Sequence, residues 1–213
     1  DMPVGPTAKV RSDAAAQALA ARLTDTASAM GLTLAVLRTD GRQPVGVGIG
    51  PALEARDVLA VLRGAPDAPA DLRSRALTVA GALLDLAPGT PPGQGLALAT
   101  QTLDSGRAWA KFLAICEAQG GFTEPGEAPF QAPVVATRAG RVNAIDNRRL
   151  AKVAKLAGAP GAALAGLDCS LRLGDSVAVG QPLYTVHAQT PGERDYALAY
   201  ARAHSDILSL EAP

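Results

Sequence analysis

The chain has 213 residues, with 20 basic and 20 acidic side chains and a formal charge of zero. That balance excludes a general nucleic-acid binder, which would carry a basic excess. The 48% apolar and 19% charged content excludes a disordered chain. Two cysteines, Cys116 and Cys169, exclude a disulfide scaffold and point to a reducing cytoplasm. Two histidines, His187 and His204, give little material for a histidine metal site. No apolar run reaches the roughly 18 residues of a membrane span.

The opening Asp1-Met2-Pro3-Val4-Gly5-Pro6 has no initiator methionine and reads as the interior of a longer protein. Residues 1–11 are expected to end a strand and continue as a loop holding Lys9. Ser12 or Asp13 caps a helix whose apolar positions Ala16, Leu19, Leu23 and Met30 recur at helical spacing until Gly31. The run Leu32 to Leu37 predicts a buried strand, so the segment reads as βαβ with a parallel sheet.

Gln43 to Pro51 places glycine at 46, 48 and 50. Pro51 suits the first turn of a helix that Gly64 stops. The third glycine of a dinucleotide fingerprint would fall at Pro51, so that reading fails. Close packing of backbone against a helix is one remaining reading; a cation site made of loop carbonyls and Asp57 is another. Lys9 follows a strand of a parallel sheet, where α/β proteins place ligands, although a solvated lysine is the plain alternative.

Helices are expected around 72–86, 96–103 and 106–119, then a linker over 121–133. Beyond it the texture changes. Val134 to Ala136 and Arg141 to Ile145 predict a strand pair around Ala139-Gly140, followed by a basic helix from Arg148 to Leu156. Cys169–Leu173, Ser176–Val179 and Leu183–His187 predict strands, and 192–203 a last helix. The fold class is α/β plus α+β. A partial parallel-sheet unit with helices fills 1–122, and a small β-rich, barrel-sandwich-like domain fills 131–213. Leu173-Gly174-Asp175-Ser176-Val177 through Gly180-Gln181-Pro182-Leu183 resembles the turn–strand–turn of biotinyl and lipoyl carrier domains. The attachment lysine is missing from His187-Ala188-Gln189-Thr190.

Four stretches together resemble the thymidine phosphorylase and nucleoside-monophosphate (AMP) phosphorylase family. They are Asp1 to Val10, Gln43 to Glu54, Ser105-Gly106-Arg107 through Gly120-Gly121, and Gly140-Arg141-Val142 through Leu173-Gly174-Asp175. The resemblance corresponds to the family's second half. It implies a pentosyltransferase that cleaves an N-glycosidic bond with inorganic phosphate as co-substrate, giving free base and sugar 1-phosphate. It implies no organic cofactor, no nucleic-acid polymer, no membrane, a cytoplasmic location and a homodimeric full-length protein. No catalytic residue is expected within this portion. By the same resemblance Lys9 matches a contact to a substrate 5′-phosphate. Val45, Gly48 and Asp57 match two loop carbonyls and a carboxylate that bind K⁺, with aspartate where the family has glutamate. A non-catalytic carrier or binding module is the reading from another class.

Overall fold

A computed structural model describes residues 1–212. The chain divides into two compact units, Asp1–Gly41 with Ala60–Thr123, and residues 42–59 with 124 onward.

In the first unit, strand β1 (Met2–Val4) pairs parallel with β2 (Arg38–Asp40), Met2 opposite Arg38 and Val4 opposite Asp40. Helix α1 (Asp13–Ala29) connects them, and the Ser12 hydroxyl accepts from the Ala15 N–H at 3.2 Å as its N-cap. The βαβ expectation therefore holds, but the second strand does not lie where it was expected. Leu32 to Leu37 is irregular; residues 32–35 are exposed, with Leu32 61% accessible, and Val36 and Leu37 are half-buried. β1 offers only three residues before Gly5 turns the chain, so pairing begins at the Met2 N–H to Leu37 O bond and runs forward from Arg38.

Three helices complete this unit: α3 (Ala70–Asp85), α4 (Gly95–Asp104) and α5 (Arg107–Ala118). Gly81 and Gly95 let α3 and α4 touch backbone to backbone. A Cβ on Gly81 would lie 2.8 Å from the Leu96 Cα, and Asp85 accepts from the Gly95 N–H at 2.8 Å. On α5, Trp109 and Phe112 stack at 5.7 Å, Phe122 meets both edge-on, and the Arg63 guanidinium lies 4.6 Å from the Trp109 ring centre.

The second unit holds two antiparallel sheets. One has the order β3–β6–β8–β4, from β3 (Gly48–Ile49), β6 (Gly166–Asp168), β8 (Pro182–Ala188) and β4 (Phe130–Val135). The other has the order β7–β5–β9, from β7 (Ser176–Val177), β5 (Gly140–Ile145) and β9 (Leu208–Glu211). The expected β4–β5 hairpin is absent. Ala136 is tied instead to the far side of the chain, its N–H donating to Gln181 O and its carbonyl accepting from the Gly180 N–H. This sends β4 to β8, and leaves β5 to β7 and β9. Cys169–Leu173 is also not a strand; pairing in that region ends at Asp168.

Helix α6 (Asn147–Leu156) starts on Asp146, whose carboxylate accepts from the Arg148 and Arg149 N–H groups. Helix α7 (Pro191–Ala203) starts on a Thr190–Glu193 capping box. The core between sheets and helices comprises Val142, Leu150, Val153, Leu167, Val186 and Ile207 with their neighbours. Among the described residues no helix is long and apolar enough to cross a membrane. Leu150 is fully buried, so Leu150→Ala should cost about 2–5 kcal/mol. Urea unfolding of the chain checks this: the midpoint should fall at constant slope, and an unmoved midpoint would remove Leu150 from the core.

Candidate functional site

The glycine-rich segment 43–50 is fixed by four interactions within the second unit. The Gln43 side-chain oxygen accepts from the Leu173 N–H at 2.8 Å. Gly46 adopts φ +76°, and its carbonyl accepts from the Arg172 guanidinium at 2.7 Å. The same guanidinium also binds the carbonyls of Cys169 and Leu171, so one cation ties three backbone oxygens together. Val47 O accepts from the Cys169 N–H at 2.8 Å.

The fourth interaction comes from helix α2 (Pro51–Arg63). Asp57 Oδ2 accepts from the Val47 N–H at 2.6 Å and from the Gly48 N–H at 2.8 Å. The Val47–Cys169 bond extends the β3–β6 pairing by one bond ahead of Gly48. Val47 thus divides its backbone, its carbonyl going to Cys169 and its N–H to Asp57, and the Gly48 N–H joins it on the same carboxylate oxygen. The third glycine closes the motif. Gly50 has φ +133°, donates to Glu54 Oε1 at 3.0 Å and accepts from the Glu54 N–H, which starts α2.

Glycine is required here for closeness rather than for nucleotide binding. A Cβ on Gly48 would lie 2.5 Å from the Leu53 carbonyl carbon. The close-packing reading of this loop is thus realised. Val45, Gly48 and Asp57 lie together on one loop–helix unit. Lys9 belongs to the other compact unit, in the turn after β1. There Gly5 donates to Val10 O and Ala8 to Gly5 O, leaving Lys9 exposed. Lys9 has no acidic partner among the described residues.

His187 lies in β8, buried, with Nε2 2.9 Å from Asp168 Oδ2. A carrier hairpin would present an exposed lysine here; the chain instead buries a histidine in a sheet. Cys169 is a core residue, its thiol pushed up by burial against the lowering effect of Arg172. The expectation of a core position is met less fully by Cys116, which is half-buried on α5. Three of the six basic residues of 131–167 are spent within the fold. Arg138 donates to Leu210 O, Arg141 to Gly174 O at 2.6 Å, and Arg149 pairs with Asp206 at 2.7 Å. The sequence reading missed Arg172, because nothing in a lone arginine beside Leu171 signals that it reaches back 126 positions to Gly46.

Asp57→Ala would strand two N–H groups of the loop, one of them next to a glycine that has no side chain to shield it. The loss should be about 1–3 kcal/mol in thermal or urea unfolding. A variant as stable as the parent would show that the carboxylate does not hold the loop.

Residues 141–208 match the family model described as pyrimidine nucleoside phosphorylase C-terminal domain. The chain is 61% identical, over 92% of its length, to a protein of Acidovorax sp. (strain JS42) named "Putative thymidine phosphorylase 1". It is 56% identical, over 99% of its length, to a Legionella pneumophila (strain Paris) protein named "Putative thymidine phosphorylase". The matches cover 39% and 41% of those relatives, so the chain spans about two-fifths of their length. Residues 141–208 are thus similar to the C-terminal domain of pyrimidine nucleoside phosphorylases.

Proposed function

We propose that the chain is the C-terminal part of a thymidine phosphorylase-type pentosyltransferase, which exchanges a base for inorganic phosphate at the anomeric carbon of a nucleoside. The observation that carries this reading is the 61% identity to a thymidine phosphorylase-named relative along almost the whole chain. Displacement at an anomeric carbon passes through an oxocarbenium-like sugar, so the enzyme must position phosphate and stabilise the departing base. On this reading those groups lie outside this chain. The role of this portion is to supply a wall of the pocket.

Two features of the chain fit that role. The braced loop 43–50 presents backbone on a rigid support. Its oxygens suit a monovalent cation such as K⁺. The carbonyls of Val45 and Gly48 and the Asp57 carboxylate would hold it, and the ion would add a fixed positive charge to the loop. The second feature is Lys9, an exposed ammonium without an acidic partner. It favours a second reading, in which the substrate is a nucleoside 5′-monophosphate such as AMP and Lys9 meets its phosphate. The full-length protein is proposed to act as a cytoplasmic homodimer.

Assays of the full-length protein on thymidine against AMP, CMP and UMP separate the two readings, and the isolated chain should give no turnover on any of them. If the monophosphate reading holds, Lys9→Ala should raise KM for monophosphates about tenfold and leave kcat nearly unchanged. An unchanged KM removes Lys9 from the site, and phosphorolysis by the isolated chain contradicts the division of labour.

A further inference from the structure

The two sheets of the second unit each end on an unpaired edge strand that lines one cleft. β4 is the last strand of the four-stranded sheet and β9 the last of the three-stranded sheet. The cleft has a volume of about 310 Å³ and is lined by the end of β4, the residues that follow it, the end of α7, and β9. That volume is at the lower end of small-molecule sites. Its floor is apolar and buried, formed by Ala136, Leu183, Ala201 and Leu208.

The rim is polar and its charges are unequally committed. Asp206, the one acid in the lining, is held by Arg149 at 2.7 Å, which keeps its carboxyl below the usual range. The carbonyl end of α7 is partly covered, since the His204 N–H donates to Ala201 O and its imidazole Nδ1 meets Tyr200 O at 2.9 Å. Arg138 spends one arm on Leu210 O, across the cleft. Arg202 has no partner among the described residues, and neither do the hydroxyls of Thr137 and Ser205. The uncommitted groups of the rim are thus a guanidinium and two hydroxyls, beside a second guanidinium with donors to spare.

We propose that this cleft binds a small organic anion, with its apolar body on the Ala136–Leu183–Leu208 floor and its carboxylate or phosphate head on Arg202 and Arg138. Guanidinium forks and hydroxyls are the donor set that suits such a head, and a planar or short aliphatic body fits the floor. Nothing in this assignment depends on the phosphorolysis reading, because no residue of the glycine loop or of the Lys9 turn lines the cleft.

The test is titration of the isotopically labelled chain, followed by its amide resonances, with phenyl phosphate, benzoate and benzyl alcohol, each to about 10 mM, enough to populate a site of millimolar affinity. Saturable shifts confined to residues 134–138 and 201–210 are expected for at least one of the two anions and not for the neutral alcohol. Phenyl phosphate alone would assign a phosphate head, benzoate alone a carboxylate head, and both a general anion site. Arg202→Ala, at an exposed position in the last turn of α7, should weaken binding at least about fivefold without moving the resonances of the core. Three results overturn the proposal: no saturable shift with either anion, equal shifts with benzyl alcohol, or an Arg202→Ala variant that binds as the parent does.

Discussion

A single carboxylate on the first helix of the second unit organises the glycine-rich loop. Asp57 takes two consecutive N–H groups of the chain that precedes its own helix, and Arg172 takes the carbonyl immediately before them. An anion on the donors and a cation on the acceptor clamp Gly46-Val47-Gly48 from both sides. Charged partners make these bonds stronger than neutral ones. Gly48 packs directly against Leu53 and Gly50 against Ala165 and Gly166, so these two glycines reach the helix and the start of β6 as bare backbone. The β3–β6 ladder and the start of α2 both depend on this placement.

The aspartate at position 57 gains a physical meaning from that arrangement. Its short side chain reaches the loop because the glycines allow the backbone to come to it. The same carboxylate therefore serves the loop's own N–H groups before it serves any ion. A loop held this way by its own chain is fixed without any ligand.

Much of the fold was legible because the helices carry local signals. Ser12, Asp146 and Thr190 cap α1, α6 and α7 through hydrogen bonds to neighbouring N–H groups, and Gly31 and Gly64 stand in the left-handed conformation at helix ends. The strands were less legible, because their partners lie far away in sequence. β5 reads as a partner for β4 by proximity, yet it pairs with β9, some 65 positions on, once the Ala136–Gln181 bond redirects the chain. β3 has two residues, too few for any periodicity, and exists because Leu167 and Asp168 stand opposite it. Leu32 to Leu37 shows the converse error: apolarity suggested a buried strand, yet residues 32–35 are exposed and only Leu37 reaches β1, through the Met2 N–H. At the candidate site, the glycine spacing pointed to close approach of backbone, while Arg172 stayed hidden because its role is set entirely by tertiary contact.

Amide hydrogen exchange at Val47 and Gly48 measures the clamp most directly, since these two N–H groups end on Asp57 and not on a regular sheet partner. The account predicts that both exchange as slowly as the core amides of β6 and β8, opening only when the whole unit unfolds. Exchange at the rate of an exposed loop, with β6 and β8 still protected, would contradict it.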